Sequence, residues 1–314
     1  MSRRPLKKLS KRRAVVFLLT FVLCAIYSLF DDSPALRQAQ CDIPEVANTV
    51  SPDRNFIRVC TWNVHNYNVS NRRVNGRWIS YPKPEAERQA VANVLVGIDA
   101  DIVLLQEMGD MTYLRELKMR LDRAGSKYPF VAVSDYDSPA RLAILSKIRP
   151  ECFLDLSDIK FKLKHEQCYS PRGTLGAKFK FQDKELFIFN LHLKSKVNAK
   201  KKDENFIPFR FAELRAICKN VKKLTSSDSL IIYAGDFNDE PTKALLRNLG
   251  DVVLVQQSDK TGSSFTYHWR KKDILYKYDY FLVSRNLQPL LSTAVVCEHQ
   301  NGSDHKPVYV DIAL

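Results

Sequence analysis

At 314 residues and 45% hydrophobic composition, with no internal repeat and no Gly/Pro/Ser-rich interior stretch, the chain excludes a low-complexity or repeat-built protein and favours one sizeable core. The formal charge of +14 overstates the basicity of that body, because Arg3, Arg4, Lys7, Lys8, Lys11, Arg12 and Arg13 carry half of it before any acid occurs. The remainder is mildly basic, which suits an anionic substrate without proving one.

Those seven cations lead into residues 14–30 (AVVFLLTFVLCAIYSLF), an uncharged run of 17 succeeded at once by Asp31 and Asp32. Cations before an apolar run hold the N-terminus in the cytoplasm and send the downstream chain across the membrane. Residues 1–30 are therefore expected to be a signal peptide or membrane anchor, and the rest to lie outside the cytoplasm. A helix of that length spans about 26 Å against a hydrocarbon core of about 30 Å, short for an anchor and slightly long for a signal sequence. Ser33-Pro34-Ala35 offers small residues for cleavage, but the two acids upstream make a mediocre site, and the reading leans to a retained anchor. A buried helix of the fold would instead carry polar residues on one face.

Export permits disulfides among Cys41, Cys60, Cys152, Cys168, Cys218 and Cys297. None has CxxC or zinc-type spacing, which argues against a metal role. Cys152 and Cys168 bracket a polar stretch and could close a surface loop; the alternative is that several cysteines are small buried apolar residues.

Residues 31–55 hold three prolines and no periodic pattern, as a linker would. From residue 56 the chain alternates. Residues 56–64 read as a strand and 84–98 as a helix with Ala86, Ala90, Val91, Val94, Leu95 and Ile98 on one stripe. Residues 101–107 (DIVLLQE) form a short apolar strand ending in a carboxylate, and a helix over 110–124 comes next. Strands are expected at 128–134, 141–147, 174–181 and 185–194, a helix at 208–224, and strands at 230–238, 278–284, 292–298 and 307–314. Runs of strands punctuated by a few helices give an α/β protein with two sheets packed together and helices outside.

Polar residues of a consistent kind stand where these strands end. They are Asn63, Glu107, His192, Asp236 with Asn238, Asp279, and Asp304 with His305. Each has a bland alternative: a turn for Gly-Asp-x-Asn, a buried core residue for His192, a helix cap for Glu107, a loop for Ser-Asp-His. His65 is left as a structural residue. Jointly they offer oxygen ligands suited to Mg²⁺, imidazoles suited to proton transfer and an amide suited to holding a phosphate.

The ordered series Thr61-Trp62-Asn63, Leu105-Gln106-Glu107, Asn190-Leu191-His192, Gly235-Asp236-Phe237-Asn238, Asp279-Tyr280-Phe281 and Ser303-Asp304-His305 resembles the endonuclease/exonuclease/phosphatase superfamily, over residues 56–314. That superfamily includes deoxyribonuclease I, abasic-site nucleases, sphingomyelinases and inositol-polyphosphate 5-phosphatases. The resemblance implies a four-layer α/β sandwich, two mixed sheets face to face with helices outside. It also implies Mg²⁺, with Mn²⁺ as the alternative, held by Glu107 with Asn63 and Asp304 nearby. His305, held by Asp279, would activate or orient the attacking water; Asp236 would position it; Asn238 would donate to a phosphate oxygen; His192 would donate to the phosphate or protonate the leaving oxygen. Pro171-Arg172-Gly173 resembles an arginine-led strand of deoxyribonuclease I, which suggests Arg172 as a phosphate contact, against a surface salt bridge as the alternative.

Two departures matter. Ala140 stands where deoxyribonuclease I places a glutamate behind its second histidine, with Asp137 as a possible substitute, and Met108-Gly109 stands where an arginine often contacts DNA. The expected function is an exported phosphodiesterase, nucleic acid ahead of lipid headgroups, because Lys194, Lys196, Lys200, Lys201 and Lys202 form a basic loop after His192. Alternatives are a sphingomyelin or phospholipid phosphodiesterase, an inositol-phosphate phosphatase, and a non-catalytic membrane-tethered binding module. The chain is expected to be a monomer that meets the membrane through its N-terminal segment.

Overall fold

A computed structural model describes residues 39–48, 54–196, 206–298 and 302–313. The apolar run 14–30 and Lys200, Lys201 and Lys202 lie outside the described residues, among which no helix is long and apolar enough to cross a membrane. In chain order the strands are β1 (Gln40–Asp42), β2 (Phe56–Tyr67), β3 (Val69–Val74), β4 (Arg77–Pro82), β5 (Ile102–Met108), β6 (Phe130–Val133) and β7 (Arg141–Ser146). Next come β8 (Cys152–Leu156), β9 (Lys160–Leu163), β10 (Glu166–Tyr169), β11 (Thr174–Phe181), β12 (Lys184–His192), β13 (Leu230–Asp236) and β14 (Val252–Leu254). The last are β15 (Gln257–Ser258), β16 (Tyr267–Trp269), β17 (Ile274–Tyr276), β18 (Asp279–Ser284), β19 (Ala294–Val296) and β20 (Val308–Ala313). Helices α1 (Glu85–Ile98), α2 (Met111–Arg123), α3 (Ile207–Lys222) and α4 (Lys243–Asn248) lie between them.

One mixed sheet runs β1-β6-β7-β5-β2-β20-β19-β15 and the other β14-β18-β13-β12-β11-β8. Parallel pairing of β2 with β5 and of β12 with β13 makes both sheets mixed. Successive side chains of a strand face opposite ways, and the apolar pattern uses both faces. Ile102 and Leu104 of β5, Leu186 and Ile188 of β12 and Ile232 and Ala234 of β13 fill one core between the sheets. Their neighbours Val103 and Leu105 join Val91, Leu95, Leu114 and Leu117 of α1 and α2 in a second core. Phe187, Phe189 and Tyr233 join Leu214 and Ile217 of α3 in a third. The result is the expected order of four layers: helices, sheet, sheet, helices.

One expectation is corrected and one open alternative is decided. The stretch read as a linker contains β1, which pairs antiparallel with β6 through Gln40↔Val133 and Asp42↔Val131, because β6 would otherwise leave one backbone edge unpaired. Cys152 and Cys168 are free thiols. The polar stretch between them is closed by backbone pairing of β9 with β10 instead, which sets Cys168 opposite Phe161.

Candidate active site

Register assembles one half of the site. In β12 the apolar residues Leu186 and Ile188 face the inter-sheet core, so Asn190 and His192 continue the same face with polar groups. The parallel pairing sets His192 beside Asp236, and the antiparallel pairing of β13 with β18 sets Asp236 beside Asp279. Three neighbouring strands thus present an imidazole and two carboxylates at one edge of the core. Gly235 permits this approach: its φ is +149°, and a Cβ there would meet the Leu191 carbonyl oxygen at 1.9 Å. Asp236 also closes a turn, accepting from the Asn238 backbone N–H at 2.8 Å, so the turn reading of Gly-Asp-x-Asn and the functional one describe the same geometry.

The other sheet supplies the second half. Asn63 is on the inner face of β2, and its amide nitrogen donates to Glu107 Oε1 at 3.1 Å and to Asp236 Oδ2 at 3.0 Å, tying the two sheets together. Below it Gln106 donates to Asn190 Oδ1 at 2.7 Å, and Asn190 donates to the carbonyls of Leu105 and Ala143, which satisfies the buried Asn190 amide across the same interface and leaves Gln106 Oε1 without a partner among the described residues. Glu107 sits at an irregularity of β5 with φ +60°, which turns it out of the alternation that would have sent it towards the helices. Its Oε2 accepts from the Asn66 N–H at 2.9 Å. Glu107 is not the cap of the next helix; Asp110 is, accepting from Thr112.

The segment 303–305 is pinned to β2. Ser303 Oγ donates to the Asn63 carbonyl at 2.6 Å, and Trp62 Nε1 donates to the His305 carbonyl at 2.9 Å. His305 Nδ1 lies 2.8 Å from Asp279 Oδ2, and its Nε2 lies 3.8 Å from Asp236 Oδ2. Asp279 is itself positioned by Thr266 Oγ1, which accepts from its N–H, and by Gln257, which donates to its carbonyl.

The two histidines are electrostatic opposites. Burial works against charge on His305, but Asp279 and Asp236 outweigh it and push its pKa up to about 10. Burial, with Arg172 and His305 adding to it, holds His192 well below the ordinary imidazole value, so it is neutral. His192 Nε2 lies 3.5 Å from Asp236 Oδ2, while its Nδ1 is buried without a partner, so Asp137 does not stand in for the glutamate absent at Ala140. Burial, partly offset by His305 and reinforced by Asp279, pushes the Asp236 carboxyl up to about 7. Arg172 donates to the Leu193 carbonyl at 3.4 Å and is in no ion pair among the described residues, contrary to the surface salt-bridge reading.

Glu107, Asp236, Asp279 and Asp304 meet amides and imidazoles, and among the described residues none is paired with lysine or arginine. Such a like-charged, oxygen-rich set fits a hard divalent cation. Donor atoms of Asp236, Asp279 and His305 lie within 4.8 Å of one another. His305 Nδ1, however, already engages Asp279, which leaves Glu107 and Asp304 as the freer carboxylates. Asn63 turns its oxygen to the His65 N–H at 3.0 Å.

Several neighbours escaped the sequence reading. His65 belongs to the site, with Nδ1 3.7 Å from Asp304 Oδ1 and φ +48°, a backbone conformation rarely adopted by residues other than glycine. Asn66 holds Glu107, and the run Asn63-Val64-His65-Asn66 at the strand end was its only signal. Tyr267, Tyr276 and Tyr278 stack into a wall, with the Tyr267 ring 4.7 Å from that of His305 and Lys196 Nζ 4.9 Å from the Tyr278 ring. Beside it opens a cleft of about 460 Å³ lined by His65, Tyr267, Trp269, Arg270, Lys271 and Asp304. Behind His192, Glu213 of α3 is wholly buried, accepting from Ser170 Oγ at 2.6 Å and from the Lys194 N–H at 3.0 Å.

The sequence model of the Endonuclease/Exonuclease/phosphatase family matches residues 60–305. A beta toxin variant from Staphylococcus aureus with bound magnesium ions is similar in structure, with a TM-score of 0.63, 16% identity, 83% of this chain covered and 100% of that one. Human Nocturnin's catalytic domain with a bound sulfate gives 0.56 at 19% identity over 83% and 95% of the two chains. TDP2 from D. rerio, complexed with a single-strand DNA product, gives 0.54 at 20% identity over 83% and 100%. No curated protein sequence matches the chain.

Proposed function

The chain belongs to the Endonuclease/Exonuclease/phosphatase family and is a metal-dependent phosphoric ester hydrolase, and from that premise we propose that it is an exported Mg²⁺-dependent phosphodiesterase acting on nucleic acid. The observation that carries the catalytic reading is the Asn63 amide, which joins Glu107 of one sheet to Asp236 of the other between two buried histidines.

Glu107 and Asp304 would hold the metal, with Asn63 meeting it through water, and the metal would supply Lewis-acid stabilisation of charge developing on the phosphoryl oxygens. Cationic His305, its ring fixed by Asp279, orients the attacking water, and the Asp236 carboxylate takes up its proton. Neutral His192 donates a hydrogen bond to a non-bridging oxygen, Asn238 would add a second by turning its amide nitrogen from the Leu193 carbonyl and Asp236, and Arg172 contributes charge. Protonation of the leaving oxygen by His192 requires the substrate's own negative charge to raise that imidazole's pKa. Export rests on the seven cations before the apolar run 14–30, and nucleic acid on the basic residues after His192.

Full-length protein is incubated with plasmid DNA, RNA, sphingomyelin and inositol phosphates, with Mg²⁺ or chelator. Cleavage of DNA or RNA only with Mg²⁺ is expected. Turnover of sphingomyelin or an inositol phosphate alone would replace the substrate, and no turnover at all would leave a binding module. Alkaline phosphatase fused after residue 55 is expected to be active in a bacterial host; an inactive fusion would reverse the topology.

A further inference from the structure

Directly beyond the site's own strand, β3 and β4 pair as a two-stranded ribbon. Residues 66–84 contain no acid, but carry Arg72, Arg73, Arg77, Lys83, Trp78 and Tyr81. Every residue of β4 is exposed, and Trp78 is 68% exposed, so the ribbon lies clear of the three cores. Packing does not account for an outlying tryptophan among arginines.

Cross-strand pairing of Ser70 with Tyr81, Arg72 with Ile79 and Val74 with Arg77 puts Tyr81, Arg72 and Arg77 on one face, about 7 Å apart in succession by the rise of a strand. That face is tied to the catalytic machinery at its root. Arg72 donates to the Asn66 carbonyl, and the Asn66 N–H holds Glu107 Oε2 at 2.9 Å. Among the described residues Arg72 has no carboxylate partner, and its Nε is buried with no acceptor, so a guanidinium edge beside the site is unsatisfied. The tip is the polar Asn75-Gly76 turn, where a hairpin seeking a bilayer would carry its apolar residues. Tyr81 at the root with Arg72 and Arg77 along one face, and Trp78 with Arg73 on the other, match a surface that tracks a phosphate backbone and stacks unpaired bases.

We propose that the β3–β4 ribbon is an arm for single-stranded nucleic acid, with Arg72 and Arg77 on phosphates flanking the scissile one, Tyr81 stacking a base on that face, and Trp78 beside its partner Arg73 stacking a further base as the strand wraps to the other face. This rests on the phosphodiesterase reading above. The test compares full-length wild type, Trp78→Ala/Tyr81→Ala and Arg77→Ala on a short single strand, its duplex and bis(p-nitrophenyl) phosphate with Mg²⁺. Binding of the labelled strand is monitored by anisotropy in chelator. The aromatic double variant should lower the ratio of kcat/KM on the single strand to that on the small diester about tenfold, through KM, with less effect on the duplex. Arg77→Ala should reduce the salt slope of binding by about 0.7. An unchanged ratio and slope overturn the arm, as does retained strand binding with lost binding to phosphatidylserine vesicles, which would make the ribbon a membrane contact. If wild type hydrolyses neither diester, the phosphodiesterase reading fails by itself, and anisotropy still decides the arm.

Discussion

At the start of β2 and β5, Arg54 and Lys147 both pair with Asp99, Arg54 also meets Asp101, and Arg58 grips Asp311 with hydrogen bonds of 2.8 and 2.9 Å. At the other end of the same strands, Glu107, Asp236, Asp279 and Asp304 converge with only amides and imidazoles between them. The first cluster is neutralised internally and serves the fold. In the second, burial, reinforced by Asp279 and partly offset by His305, pushes the Asp236 carboxyl up to about 7, which is the electrostatic mark of a working site. Residue type does not separate the two ends; the partners do.

The largest effect is expected where the unneutralised end loses a carboxylate. Glu107→Gln should reduce Mg²⁺-stimulated turnover on the order of 10³-fold or more with an unchanged circular dichroism spectrum. Near-wild-type rates at saturating Mg²⁺ would break the assignment. Next, His305→Ala should cost on the order of 10²-fold or more. His192→Ala should cost less with a nitrophenolate leaving group, which needs no proton, than with an alkoxide. Equal slowing of both substrates would make His192 a phosphate binder alone, and a nearly silent His305→Ala would reject the pairing with Asp279.

Glu213 sharpens the comparison as a lone buried acid. Burial pushes its pKa up to about 7 from 4.5. Below the lower value both folded and unfolded chains carry the proton; between the two the unfolded chain releases it first, so stability falls as pH rises through this window. Glu213→Gln keeps the contacts to Ser170 and the Lys194 N–H and should abolish that fall, a difference of about 2 to 3 kcal/mol by chemical denaturation at pH 4.5 and 8. Equal pH slopes in wild type and variant would refute the raised value. The smallest effect belongs to the neutralised end. Arg54→Ala should lower unfolding free energy by about 1 to 2 kcal/mol, because buried Asp101 loses a cation, while kcat stays within about twofold. A matching loss of turnover would mean the two ends are coupled.

Much of the site was legible because period-2 alternation carries from an apolar core to a polar strand end. Asn63, His192 and Asp236 continue the core-facing alternation of Val59, Ile188 and Ala234 on their strands, Asp279 leads into Phe281 on the same face, and the structure brings the four together. His65 was passed over because a strand pattern assigns it no special face; the positive φ that turns it towards Asp304 has no signature in residue type. Spacing left a Cys152–Cys168 pair as one of two alternatives, and both thiols are free: Cys152 lies in β8, and Cys168 in β10 opposite Phe161. The β3–β4 ribbon was missed although Arg72, Arg73, Arg77, Trp78 and Tyr81 flank an Asn-Gly turn, the strongest local signal of a hairpin.

The sequence by itself determined the layers, the order of the motif-bearing strands and the kinds of chemical group at their ends, since alternation, helical stripes and turn residues are local properties. Only the tertiary structure decided which groups became partners. Register set Asp236 between His192 and Asp279, a break in β5 swung Glu107 to Asn63 and Asn66, and the closing strand delivered His305 to Asp279. Partners and burial, rather than residue type, fix a side chain's charge. The same fold therefore makes one histidine cationic and the other neutral, and one group of acids structural and the other reactive.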